Sequence, residues 1–193
     1  MISLDTTRIE CWRPDPLHLA KDVEMLGHVL HACVHRGATV SFMLPFSEDD
    51  ARAFWRDKVA PAAQAGACCV LVARNAGQIV GTVQLDLATP PNQPHRAEVR
   101  KLLVHPEARR LGIARALMLA IEEQARRNGR TLLTLDTTTG DFAEPLYLSI
   151  GYVKVGVIPW YSLRPDSSRM EPTTVMYKEL DRHYLNPPTL SRI

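Results

Sequence analysis

"ARRLGIARALM", residues 108–118, sets two arginines and a lone glycine directly before a run whose apolar residues recur with helical spacing. Upstream, "RAEVRKLLV" at 96–104 reads as a strand. Downstream, Ile113, Ala116, Leu117, Ala120, Ile121 and Gln124 follow a helical repeat, Glu122 can pair with Arg126 and Glu123 with Arg127, and Gly129 suits the position just past the helix end. A strand therefore passes into a helix through Arg109, Arg110, Leu111, Gly112, Ile113 and Ala114. The first amide N–H groups of a helix have no carbonyl partner inside it, the dipole adds about half a positive charge there, and a glycine lets bulky anions approach the backbone. With Arg109, Arg110 and Arg115 as side-chain donors, the stretch reads as a phosphate or pyrophosphate cradle, or else as an ordinary helix start with solvated arginines. No Lys-Ser or Lys-Thr follows, as a P-loop requires, and no GxGxxG supports a dinucleotide fold.

Strands and helices alternate around this centre. "TRIECW" reads as a first strand; Asp15 and Pro16 then open a helix with Leu19, Val23, Leu26, Leu30 and Cys33 on one stripe, stopped by Gly37. "VSFMLPF" at 40–46 is an apolar loop, and Ser47 with Asp50 caps a second helix that fails at Pro61 and Gly66. "CCVLVARN" and "IVGTVQLDLA" flank a short turn, an antiparallel hairpin whose second strand alternates a buried and a more polar face. Where alternation fails at Leu102, Leu103 and Val104, a bulge is expected. "TLLTLD" is a buried strand, "FAEPLYLSIGY" a short helix, and "YVKVGVIPW" and "TTVMYKEL" are closing strands, with residues 181–193 as a tail.

Composition narrows the function. At 193 residues and 46% apolar content, one domain with one good core is expected over residues 1–180. A net charge of +2 with interspersed signs gives no electrostatic footprint for nucleic acid or an anionic membrane. Cys11, Cys33, Cys68 and Cys69 lack zinc spacing and include an adjacent pair awkward to bridge, which suits free thiols in a reducing cytoplasm. No export signal and no run of about 18 apolar residues is visible. No metal site is expected: His31 and His35 share a helix face, but the Glu of HExxH is missing.

The order of elements, RxxGxA opening a helix, "LLTLDT" and "AEPLYLSIGY" together resemble the GNAT superfamily of acetyl-CoA-dependent N-acetyltransferases, from about residue 6 to residue 180. "GATVSFM", "RAEVRKLLVHPEAR", "LLTLDTTTG" and "GVIPWYSLRPDSSRMEPTTVMYK" look like its tabtoxin-resistance branch, which acetylates a small amino-acid-like toxin. The resemblance implies an α/β (α+β) fold: a mixed, mostly antiparallel sheet of about seven strands, splayed at the cofactor site and flanked by about four helices. It implies acetyl-CoA as donor, with pantetheine along Leu102, Leu103 and Val104 and pyrophosphate on the Arg109 to Ala114 amides, Arg115 nearby. Ala114 stands where glycine is commoner and Arg110 where many members carry glycine.

Acetyl transfer sets further requirements. An alkylammonium with a pKa of about 10 cannot attack a thioester, so a base is useful, often through water. Glu98, on the strand leading to the cradle, is the candidate base or else a partner of Arg100 or Arg96. Asp136, at the end of "LLTLD", binds the acceptor ammonium, shares the base role, or caps the following turn. Tyr147 falls where many GNAT members present a phenol to the leaving sulfur, so it is the candidate acid or a core tyrosine. Phe42, Met43 and Phe46, with Trp160 and Tyr161 opposite, are candidate walls of an acceptor pocket or simply packing. The expected activity is direct acetyl transfer to a small-molecule primary amine, with protein or peptide N-acetylation or a non-catalytic acetyl-CoA-binding domain as alternatives, and a homodimer is admitted.

Overall fold

The two strands that flank the basic helix run parallel, and they part company after three residues. The computed structural model describes residues 3–180. Its elements are β1 (Thr7–Cys11), α1 (Leu19–His35), α2 (Glu48–Phe54), α3 (Ala60–Gln64), β2 (Cys68–Asn75), β3 (Gln78–Asp86), β4 (Arg96–Val104), α4 (Ile113–Arg127), β5 (Leu132–Thr138), α5 (Ala143–Ser149), β6 (Val153–Leu163) and β7 (Met170–Glu179). One sheet takes the order β1-β2-β3-β4-β5-β7-β6. Every neighbouring pair is antiparallel except β4 with β5, which pair only at Arg96–Leu132, Ala97–Leu133 and Glu98–Thr134. Beyond these, β4 stays with β3 while β5 follows β7, so the sheet opens into a wedge.

Each face of the sheet has its own core. On one, Leu117, Met118 and Ile121 of α4 pack among Leu85, Leu133 and Met176. On the other, Leu26, Val29 and Leu30 of α1 and Trp55 pack among Val70, Val72 and Leu103. The second strand of the hairpin therefore differs from expectation: β3 is buried on both faces, with Thr82 and Gln84 covered as well as Val83 and Leu85. Its polar residues lie on the face covered by α1 rather than in water, with the Thr82 hydroxyl donating to Leu71 O at 3.0 Å.

Ser47 and Asp50 form a full capping box at the start of α2. Pro61 does not end that helix. A π-helical turn at Trp55–Val59 intervenes and Pro61 sits in the first turn of α3, where its missing N–H costs little, so the rod continues to Gln64, just before Gly66. The bulge in β4 is present: pairing jumps from Gln84–Arg100 to Thr82–Leu103, and Lys101 takes a left-handed φ of 52°.

Glu123 pairs with Arg127 on the surface of α4, whereas Glu122 turns inward. Lys178 Nζ of β7 lies 2.7 Å from both Glu122 carboxylate oxygens and 2.6 Å from Ile150 O. The side chains are 5% and 17% exposed for Glu122 and Lys178, so removing one partner strands a charge in a poorly solvated place. Lys178→Met is expected to cost ~3–5 kcal/mol in urea denaturation; a loss under about 1 kcal/mol would mean that water reaches the orphaned carboxylate.

Candidate active site

The wedge between β4 and β5 leads straight to the start of α4. A short 3-10 turn at Pro106–Ala108 ends the strand, Arg109 is extended, and Arg110 and Gly112 adopt φ of 65° and 80°. Gly112 is the N-cap of α4 and has no side chain to offer as acceptor. Among the described residues the backbone N–H groups of Arg110 through Arg115 have no backbone acceptor; the first to find one is Ala116, bonded to Gly112 O at 3.0 Å. Left-handed Arg110 and Gly112 and the first turn of α4 thus leave a run of unpaired amides at the helix start, which is what a bulky anion requires.

The arginines divide their tasks. Arg110 lies over the Phe142 ring at 5.6 Å, and Arg115 donates to Ser149 Oγ at 3.0 Å, both at the mouth of the cradle. Arg109 instead folds back, its Nε donating to Val104 O at 3.2 Å. It braces the end of β4, and its backbone N–H is taken by Pro106 O, so the free amides begin at Arg110. Leu102 and Val104 are half-buried against the α4 core, and Leu103 is buried against the α1 core.

On the α1 face of the wedge, Glu98 and Asp136 occupy the two diverging strands. The ion pairs weighed for Glu98 do not form: Arg100 is bonded to Asp86 at 2.7 Å, and Arg96 to Gln93 at 2.8 Å and Thr134 at 3.0 Å. Glu98 is half-buried with no hydrogen-bond or ion-pair partner among the described residues. Asp136 is no cap. It lies inside β5, which continues to Thr138, and accepts a hydrogen bond from the Thr173 hydroxyl of β7 at 2.9 Å.

Tyr147 of α5 closes the other side of β5. It is 6% exposed, and its ring sits 5.8 Å from that of Tyr152. Burial pushes its phenol well above the usual tyrosine range, with Asp141 and Asp136 adding to the shift. Tyr152 packs in the core, with its hydroxyl sealed off and unpaired.

The loop between α1 and α2 bridges the α1 face. Lys101 in the β4 bulge donates from Nζ to Val40 O at 2.7 Å and Ser41 Oγ at 3.2 Å, and Leu44 N bonds to Pro165 O at 2.8 Å beyond β6. The two expected acceptor walls are therefore physically linked. Their members differ. Phe42 is half-buried 5.4 Å from Lys101 Nζ, and Met43 is exposed, but Phe46 is buried in the core against His31 and offers no surface to a ligand. Trp160 is 78% exposed at a φ of 58°, in a break of the β6–β7 register, with exposed Tyr161 beside it.

Lys101 is the residue that the sequence reading passed over. Burial, with Arg100 adding, pushes its ammonium down to about 8, while Asp136 and Glu98 act in the opposite sense. Only the lost alternation at Leu102 and Leu103 hinted that a preceding side chain would turn toward the site.

Comparison with known proteins agrees with this geometry. Residues 34–152 match the Acetyltransferase (GNAT) family. This chain belongs to the GNAT family. N-acetyltransferase 8B of Rattus norvegicus is 37% identical over 87 residues, 44% of this chain and 39% of that protein, so the shared segment spans about two-fifths of the curated relative. YncA of Salmonella typhimurium, solved with its cofactor acetyl-CoA, superposes with a TM-score of 0.74 at 19% identity, covering 93% of this chain and 96% of its own. The ribosomal-protein-alanine N-acetyltransferase of Brucella melitensis gives 0.73 at 22% identity, covering 89% and 99%. At these identities the solved structures speak to the GNAT fold. Among the described residues no helix is long and apolar enough to cross a membrane, and no group of three or more candidate ligands could hold a metal.

Proposed function

We propose that this protein is an acetyl-CoA-dependent N-acetyltransferase acting on the primary amine of a small, amino-acid-like or toxin-like molecule, in the manner of the tabtoxin-resistance branch. One observation carries the reading: the opening between β4 and β5 leads to a run of unpaired amides at the start of α4, with an unpartnered carboxylate, Glu98, on the acceptor side. Residues 1–180 form the acetyltransferase domain, and four free thiols suit a cytoplasmic protein.

The amides from Arg110 to Arg115 fit a pyrophosphate, since they present N–H donors that the helix itself leaves unused. Acetyl-CoA bound there supplies a thioester carbon for attack. Leu102, Leu103 and Val104 hold the pantetheine arm along the free side of β4. Glu98 takes the proton of the incoming ammonium, directly or through water, and Asp136, fixed by Thr173, attracts that ammonium. Tyr147 returns a proton to the departing sulfur. Phe42, Met43, Trp160 and Tyr161 contact the rest of the acceptor.

The exposure of Trp160 and Tyr161 favours a second reading, a peptide amine laid along an open wall. A thiol-release screen of amines, amino acids and short peptides with acetyl-CoA decides between them: turnover confined to small amines supports the first, and turnover confined to peptides replaces it.

Glu98 and Asp136 separate by kinetics. Glu98→Gln should lower kcat by about 100-fold or more at pH 7 with acetyl-CoA affinity kept, and the deficit should shrink at high pH as free amine accumulates. Asp136→Asn should chiefly raise KM for the acceptor, by about tenfold. The reverse pattern would exchange their roles.

A further inference from the structure

We propose that Cys11 and Cys69, remote from the wedge, form a redox-active dithiol that a hydroperoxide closes into an intramolecular disulfide. The β1–β2 register pairs Cys11 with Leu71, and Trp12 N bonds to Val70 O at 2.8 Å, so Cys69 lies two residues along on the same face of the ribbon. Cys11 and Cys69 are thus diagonal neighbours whose side chains share one face of the ribbon. Both line a cavity of about 410 Å³ that also receives Gln124 and Asn128 from the end of α4. Cys68 points to the opposite face, into the α1 core.

The two sulfurs are unlike. Cys11 is exposed, and its contact with Cys69 and the nearby Arg13 holds its thiol down to about 6; Cys69 is half-buried and pushed upward by the same contact and by burial. Among the described residues that line the cavity, Arg13 is the one that carries a charge, and none of them is a carboxylate that would oppose a thiolate. Burial raises Cys33 and pushes Cys68 up to about 11, which keeps both inert at neutral pH.

The step balances with the peroxide as sole oxidant. The Cys11 thiolate attacks one peroxide oxygen, the O–O bond breaks, and an S–O bond forms as hydroxide or alkoxide leaves. Cys69 then attacks the sulfenic sulfur, forming the S–S bond and expelling water as its own proton is lost. Diagonal Cα atoms on paired strands sit about 7–8 Å apart, slightly beyond disulfide range, so closure needs a shift of roughly an ångström. β1 is an edge strand and Cys11 is its last residue, which is where the backbone yields most readily.

The test is thiol counting on the full chain treated with hydrogen peroxide, followed by peptide mapping. Two of the four thiols should disappear, with Cys11 joined to Cys69, and a thiol reductant should restore them. Cys69→Ser should leave a Cys11 sulfenic acid that a cyclic 1,3-diketone traps, and in the reduced wild-type chain alkylation of Cys11 should reach half its plateau rate near pH 6. Survival of all four thiols, a bond to Cys68 or between two chains, or a half-plateau near the free-cysteine value of about 8.5 would overturn the proposal.

Discussion

Gly112→Glu is expected to lower acetyl-CoA affinity by ~100-fold or more, about 3 kcal/mol, in calorimetric titration of a folded variant. The new carboxylate would stand among the amides of Arg110 to Arg115, repelling a pyrophosphate and competing for its donors. Backbone strain is the smaller effect. Gly112 has a φ of 80°, which costs a side chain about 1–2 kcal/mol, and an added Cβ would meet only Leu4 Cδ2 at 3.2 Å, the far end of a flexible side chain that can move aside. Gly112→Ala carries the strain without the charge. It should therefore lose comparable stability while keeping most of its affinity. Equal affinity in wild type and Gly112→Glu would remove the cradle from the proposed site.

How far the sequence could be read depended on how local each signal was. Ser47 with Asp50, Gly112 before an apolar stripe, and the Ala76–Gly77 turn with φ of 46° and 79° each act over four residues or fewer, and all appear where the pattern put them. The β4 bulge was visible as a failure of alternation, but its consequence, Lys101 reaching Val40 O across 61 positions, was not. Pro61 misled because a π turn upstream rearranges the ladder that proline would otherwise break, and nothing in the residue types announces it. Thr82, Gln84 and Glu122 read as polar surface residues. Each is buried because something distant in the chain covers it, Lys178 in the case of Glu122, and no periodicity records such a partner.

The same limit applies within the site. That Glu98 lacks a partner depends on Arg100 choosing Asp86 and Arg96 choosing Thr134, both decided by strand register rather than by spacing along the chain. Asp136 looked terminal because the apolar run stops there, yet β5 continues through Thr137 and Thr138, held by β7 at Thr174 and Thr173. Insertion of β7 between β5 and β6 brings Thr173 to Asp136, a contact between residues 37 apart.

Tyr147→Phe is expected to lower kcat by roughly 10- to 1000-fold, a span that reaches below the usual general-acid contribution because water can stand in for the phenol. Phenylalanine keeps the ring contact with Tyr152 and the packing against the α4 core, so acetyl-CoA affinity should barely move and stability should change by no more than about 1 kcal/mol. The pH dependence sharpens the test. A phenol at its ordinary value of about 10 would ionise in the upper range of an assay and give an alkaline fall in wild-type activity. Burial raises the pKa of Tyr147, which favours the protonated, donating form, so ionisation lies further into alkali. The wild type should accordingly hold its turnover up to about pH 10, and the ratio of wild-type to variant kcat should stay constant over that range. A variant within about twofold of wild type would leave Tyr147 a packing residue and assign protonation of the thiolate to solvent. A ratio that falls toward one as pH rises from about 9 to 10 would mean that the phenol ionises at its ordinary value, as a solvated rather than a buried group.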